Sequence, residues 1–402
     1  MVPPRRILLI KLKHIGDALL ATPLARVLRE NFPEATVSFL VIGAAAEVLE
    51  GNPWIHQVWR FERGSGVKRL LALFWWLWRS RFDVVIDLSG GGDRGAICTW
   101  MTGAGVRLGH LLTRVPWQRN LTNRLAYHPM QPEPGHDQHA ILRDLALAAP
   151  LGLRHDGLHV TLPVLPAARE AIQALLLREG DDGSRPLCLI HATSRWMFKC
   201  LPPETMAHVA DAMALEYGAF VVMTGADCAV EKKYLTRIID NMKTKPLILA
   251  GHFDLKGMAA LLDSCDFYIG VDTAPSHMAA ALDLPTVVVF GPTKPHLWGP
   301  WPNGVQAQPY TRGGGAQQAG NHWVCRLDWP CIPCDRDGCA GSKVSRCLTE
   351  LSVAFIMEII ARHWLRALQR FATRSGGQSE RRLSKPTIKK NGTADHSRDE
   401  AG

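Results

Sequence analysis

A series of short apolar runs rich in β-branched residues, each followed by a helical pattern, constrains this chain most. The runs fall at residues 7–12, 37–42, 84–88, 187–191, 220–224, 247–250, 267–271 and 286–290. Amphipathic stretches at 18–31, 206–217 and 258–262 lie between them. A strand that is apolar throughout, instead of alternating, is buried on both faces, so the pattern implies parallel sheets with helices on either side. The passage Leu162-Pro163-Val164-Leu165-Pro166 interrupts the series, and a fresh helix starts at Ala167, which reads as a linker. A chain of 402 residues exceeds what one hydrophobic core usually serves, and two doubly wound α/β domains are expected.

Composition narrows the class further. The longest apolar stretch, residues 70–78, is less than half of the ~20 residues a membrane-crossing helix needs. The basic start and apolar run at the N-terminus lack a small-residue cleavage site, so no signal peptide is expected. Net charge is +9, unevenly placed. Residues 373–402 hold seven Lys/Arg against four acids with almost no apolar content, and are expected to be a disordered basic tail. Arg94, Arg107, Arg114, Arg119 and Arg124 sit in a stretch from Arg94 to Pro132 that has no acid. That stretch is either a solvated basic face or a site for an anionic partner. Nucleic acid is not expected, because no recognised binding module accompanies the charge. Scattered cysteines inside apolar runs indicate a reducing compartment.

Ligands of open parallel sheets bind where strands lead into helix N-termini. Four such loops carry chemistry. In Lys11-Leu12-Lys13-His14-Ile15-Gly16-Asp17, the carboxylate is either an N-cap or a general base facing the interdomain cleft. The loop from His191 to Lys199 brings Thr193, Ser194 and Lys199 before a helix opened by Pro202-Pro203. This suits a diphosphate, although capping alone also explains the hydroxyls. Asp272-Thr273-Ala274-Pro275-Ser276-His277 follows a buried strand, with Pro275 set for the first turn of the next helix. Phe290-Gly291-Pro292-Thr293 forms a further strand exit. Gly90-Gly91-Gly92-Asp93-Arg94-Gly95 matches a dinucleotide fingerprint, but no acid follows before Glu133, so NAD is not expected.

RILLIKLKHIGDALLATPL near the N-terminus, HATSRWMFKCLPPE in the middle and FYIGVDTAPSHMAAALDLPTVVVFGPT later resemble glycosyltransferase family 9. These are the ADP-heptose:lipopolysaccharide heptosyltransferases, and the likeness is strongest to their type III. The resemblance spans about residues 5–365. It implies the α/β GT-B architecture, two Rossmann-like doubly wound domains facing across a cleft. The domains are then 1–165 on the acceptor side and 166–350 for the nucleotide sugar, followed by a helix at 351–372 returning to the N-terminal domain.

The family's catalytic Asp falls on Asp17 and its diphosphate lysine on Lys199, with one extra residue after Thr193. The family's D-T-G-x-S-H donor loop becomes Asp272, Thr273, Ala274 and, after Pro275 and Ser276, His277, where Ala replaces Gly. Its ribose-holding acid falls on Glu231. The reaction implied is an inverting, metal-independent transfer of heptose from ADP-heptose, with no cofactor, to the lipid A–core acceptor of lipopolysaccharide. Lys13, Arg94, Arg107, Arg119 and Arg124 would face that acceptor. A cytoplasmic protein held peripherally at the inner-leaflet surface follows. Residues 67–82, with three tryptophans and basic flanks, are either an interfacial helix or a core helix. A different nucleotide sugar and a catalytically silent surface-binding module are the competing readings.

Cys331, Cys334, Cys339 and Cys347 have spacings usable by structural zinc, but free thiols or a partial disulfide are the favoured reading of this 325–347 segment.

Overall fold

Strand β1 (Arg6–Lys11) is buried at every position after Arg6, which places it at the centre of a sheet, as its unbroken apolar run demands. The computed structural model describes residues 3–62, 64, 66–110, 121–127 and 137–383. In the first half, β1 is followed by α1 (Ile15–Leu19), α2 (Thr22–Asn31), β2 (Thr36–Ile42), β3 (Gln57–Phe61) and α3 (Val67–Arg79). Then come β4 (Val84–Asp87), α4 (Asp93–Met101), β5 (Val106–Gly109), α5 (Leu121–Ala126) and α6 (Ala140–Leu147). The described strands pair in parallel in the order β3-β2-β1-β4-β5. The order reverses at β1, which opens a crevice outside the carboxyl ends of β1 and β4.

The second half starts at α7 (Pro166–Arg178), with Pro166 in its first turn and Leu165 as N-cap. It continues through β6 (Leu187–His191), α8 (Pro203–Leu215), β7 (Phe220–Thr224), α9 (Ala229–Asp240), β8 (Leu247–Ile248) and α10 (Leu255–Ser264). Next are β9 (Phe267–Val271), α11 (Ala274–Ala281), β10 (Thr286–Val289), α12 (Pro295–Trp298), β11 (Gly315–Ala319) and β12 (His322–Arg326). The chain closes with α13 (Arg346–Thr349) and α14 (Val353–Leu383). The sheet order is β11-β12-β10-β9-β6-β7-β8, parallel except for β11. Its reversal lies between β6 and β9.

Three expectations differ from the structure. Residues 302–345 show little periodicity, yet they supply the β11–β12 hairpin that completes the second sheet. The edge strand β11 is polar and only half-buried, which hides it from a search for apolar runs. Among the described residues, the final helix packs on the second half and not on the first. Ile356, Ile360, Trp364 and Ala367 of α14 pack with Phe267 and Ile269 of the second sheet, and the Trp364 ring meets Phe267 edge-on at 5.5 Å. That helix also continues past Phe371 to Leu383, so the basic segment starts within a helix. Arg374 grips the buried Asp266 with Nε and Nη2 at 3.0 and 2.7 Å, a charge that burial requires be paired. The expected disorder beyond Leu383 lies outside the described residues.

The halves are joined by more than the linker. Leu158 N–H donates to the Val305 carbonyl at 3.1 Å, and the Leu158 carbonyl accepts from Gly304 N and from the Trp301 indole. At the rim, Lys256 reaches Glu50 at 2.7 Å and Leu255 N–H donates to Glu47 at 3.1 Å.

Candidate active site

The two strand-order reversals face one another through α1 and α11. A Cβ on Gly16 would stand 2.8 Å from His277 Cδ2 and 3.8 Å from the Ala274 Cα, so only glycine lets the helices meet this closely. Asp17 is half-buried in the first turn of α1. The N-cap is His14, whose side chain makes no capping bond, so the N-cap alternative for Asp17 is wrong. The Asp17 carboxylate forms no hydrogen bond or ion pair with any described residue and is left free to face a ligand.

Behind Asp17, Lys11 and Asp144 form a buried ion pair, with Nζ at 2.8 and 3.2 Å from the two carboxylate oxygens. Burial raises the Asp144 carboxyl above its ordinary range, Lys11 opposes this, and the nearby Asp17 charge adds to the rise. Asp144 went unnoticed in the sequence. A lysine ending a fully buried strand was the available signal, since such a charge demands a counter-ion.

Opposite, Lys199 ends the short turn after β6 and places Nζ 2.7 Å from Asp272 Oδ2, at the end of β9. Thr193 is fully buried, and its hydroxyl has no hydrogen-bond partner among the described residues. Ser194 Oγ accepts from Trp196 N at 3.2 Å, a bond within its own turn, whereas the N-caps that follow are Trp196 and Pro202, so neither hydroxyl caps a helix as the alternative reading had it. Thr273 is the N-cap of α11 and its side chain makes no capping bond, and Ala274 begins the helix half-buried. Ser276 instead ties α11 to its strand, donating to the Val271 carbonyl at 2.6 Å. His277 is buried, and its Nδ1 has no hydrogen-bond partner among the described residues. Burial lowers its pKa, Asp272 and Asp17 oppose that, and Lys199 reinforces it. Glu231, in the first turn of α9, is buried and accepts from Ala226 N at 2.8 Å, which fixes the loop after β7.

On the first half, the exposed Lys13 runs beside the Gly90 loop. Its Cε would lie 4.0 Å from a Cβ there, and Arg94 projects into solvent from the start of α4. Gly90 and Gly91 both take left-handed backbone (φ 77° and 86°), and Gly95 leaves room for the buried Asp87 carboxylate. Arg107 is committed elsewhere: its guanidinium donates to the Ala126 carbonyl at 2.7 Å and the Ala104 carbonyl at 3.3 Å. Arg114 and Arg119 lie outside the described residues. Arg124 falls on α5, and its side chain also lies outside the described part.

The cysteine-rich segment acts as a brace. Ser345 donates to the Phe198 carbonyl at 2.7 Å, while Cys334 N and Asp335 N both donate to the Pro292 carbonyl at 3.0 and 2.9 Å. It thereby holds the Lys199 turn and the exit of β10. Cys331 and Cys339 are exposed, Cys334 is half-buried, and burial pushes the Cys347 thiol up to about 11. Among the described residues, no group of three or more His, Cys, Asp or Glu side chains is disposed to hold a metal ion. Asp335-Arg336-Asp337 has a D-x-D spacing, but its carboxylates pair with Lys294 and Lys343.

Two doubly wound sheets whose order reversals meet across one cleft constitute the GT-B architecture of glycosyltransferases. The model of glycosyltransferase family 9 (heptosyltransferase) matches residues 70–314, and the chain belongs to that family. Lipopolysaccharide heptosyltransferase 3 of Escherichia coli K12 is 28% identical over 315 residues, covering 73% of this chain and 85% of that protein. A family 9 glycosyl transferase from Veillonella parvula superposes with a TM-score of 0.70 at 21% identity, covering 91% of this chain and 97% of that one. The E. coli ADP-heptose LPS heptosyltransferase II gives 0.68 at 19% identity, covering 90% and 99%. These two structures share the fold. No helix among the described residues is long and apolar enough to cross a membrane.

Proposed function

We propose that this glycosyltransferase moves heptose from ADP-heptose to the inner core of a lipid A-linked lipopolysaccharide acceptor, with inversion at the anomeric carbon. The observation that carries this reading is that Asp17, unpaired among the described residues, follows Gly16 at the α1–α11 contact, and that its charge and those of Lys199 and Asp272 all act on the buried His277. Asp17 takes the proton from the acceptor hydroxyl as the new carbon–oxygen bond forms, a role typically worth ~10²–10⁴-fold. The bond from the anomeric carbon to the diphosphate oxygen breaks with its electron pair, and ADP leaves.

Lys199, the Thr273 hydroxyl and the N–H groups opening α11 meet the charge growing on that diphosphate. These cationic and dipolar groups support a departure that needs no divalent metal. Thr193 and Ser194 belong to the same loop as Lys199, and Glu231 anchors the loop after β7 that passes beside Thr193, in reach of a nucleoside. Lys13 and Arg94 rim the acceptor side, and a lipid-linked acceptor brings the protein to the cytoplasmic membrane surface.

Incubation with ADP-heptose and truncated core acceptors, followed by mass analysis, should show one added heptose. Asp17→Asn should lose at least ~10²-fold in turnover while holding ADP as the parent does. Transfer from another nucleotide sugar alone would establish the alternative donor, and no transfer from any would favour a silent binding module. Unchanged turnover in Asp17→Asn would remove the carboxylate from the mechanism.

A further inference from the structure

Helix α3 has two apolar sides, and only one faces the core. Leu73, Trp76 and Leu77 are buried against the first sheet. The other side turns Val67, Leu71, Trp75 and Trp78 to solvent, with Trp75 60% and Trp78 65% exposed. Their spacing of four, four and three residues makes one stripe along the helix. On the neighbouring α4, Ile97 and Trp100 extend it, the latter 59% exposed. A soluble chain seldom leaves a contiguous apolar face of this kind without a partner.

Charge on the same side identifies the partner. Lys68, Arg79, Arg81 and Arg94 are exposed around the stripe. Asp83, the acid at its foot, is already occupied in accepting the N–H groups of Arg5 and Arg6 at 2.7 and 2.8 Å. A groove of about 790 Å³ opens there, lined by Arg6, Trp78, Arg79, Arg81 and Asp83. Indoles side by side with guanidinium groups match the interfacial zone of a bilayer, where rings sit at headgroup depth and cations meet lipid phosphates. A second copy of the chain is a poor occupant, since a two-fold contact would set this basic face against itself.

We propose that the α3–α4 face docks on an anionic lipid bilayer. The inference rests on the transferase reading for its purpose and deepens it by naming the surface. Helix α4 starts at Asp93, directly after the Gly90 loop that lies beside Lys13, so the docked face continues into the acceptor rim. An acceptor anchored in that bilayer would approach Asp17 over this rim.

The test is co-sedimentation of the full chain with vesicles of phosphatidylcholine, alone or mixed with phosphatidylglycerol. The chain should bind the mixed vesicles and release them as salt rises. The double variants Trp75→Ser/Trp78→Ser and Lys68→Glu/Arg79→Glu should each bind at least ~10-fold more weakly, while transfer to a water-soluble truncated acceptor stays at the parent rate. Failure of the parent to bind mixed vesicles, or parental binding by both variants, would overturn the proposal. So would a parent dimer that Trp75→Ser/Trp78→Ser dissolves. The vesicles contain no acceptor, so a negative result there leaves the transferase reading standing. Absence of sugar transfer in the soluble assay bears on that reading alone.

Discussion

Lys199 Nζ stands 2.7 Å from Asp272 Oδ2, tying the turn after β6 to the end of β9 at the point where the second sheet reverses its order. An ammonium has three donors, so this pair leaves others for a diphosphate. Lys199→Ala removes them and strands an almost buried carboxylate beside the donor. Hydrogen bonds to charged groups are worth about 1.5–3 kcal/mol, so ADP affinity should fall ~10–100-fold in titration calorimetry. Lys199→Ala/Asp272→Ala should recover part of that loss by removing the unpaired charge. Equal ADP affinity in Lys199→Ala and the parent would exclude the lysine from the donor site.

Gly16 sits where α1 meets α11, and the His277 ring fills the space a side chain would need. Gly16→Ala should therefore push the halves apart, with a stability loss of about 1–3 kcal/mol by urea unfolding. The companion Gly16→Ala/His277→Ala frees that space and should regain most of it. If Gly16→Ala unfolds like the parent, the two helices have slack and the close contact is not structural.

The strands legible from sequence were those buried on both faces. β6 and β9, for example, fall at 187–191 and 267–271, where their apolar runs place them. β3, with the sequence QVWRF, and β5, with VRLG, carry polar residues because they flank the sheet, and neither stands out as a run. At the site, single loops such as Asp272–His277 were readable because strand end, N-cap and proline follow one another locally. Pairings across the chain were not. Lys11 and Asp144 are 133 residues apart, and only the folded backbone brings them together. The packing of α14 was hidden for the same reason, since its apolar side suits either sheet and the choice is made by Phe267 and Asp266.

The Lys11–Asp144 pair allows a direct measurement of what burial does to charges near Asp17. Both side chains are nearly inaccessible, so Lys11→Met leaves a buried carboxylate without its counter-ion, which costs about 3–5 kcal/mol. Lys11→Met/Asp144→Leu removes both charges and should return stability to within ~1 kcal/mol of the parent or above it. Additive losses in the double variant would show that the two residues act separately.

His139 couples acid sensitivity to the junction between the halves. Its Nε2 is 3.0 Å from the Gly299 carbonyl, and its Nδ1 accepts from Ile141 N at 3.3 Å, so the neutral ring satisfies both partners. Burial brings its pKa down to about 3, with the Gly299 carbonyl opposing. Between the unfolded value of about 6.5 and that folded value, the unfolded chain binds a proton that the folded chain refuses. Stability from this group is therefore present above about pH 6.5 and is lost as pH falls, by about 1.4 kcal/mol per pH unit. The buried acids Asp87 and Asp144, with raised pKa, act in the opposite sense, so the readout has to be a difference. His139→Gln lacks the titrating ring but keeps those acids. The stability gap between parent and His139→Gln should shrink by about 1.4 kcal/mol per pH unit from about pH 6 to 4. A gap that holds constant over that range would mean that His139 is protonated as readily in the folded chain as in the unfolded one.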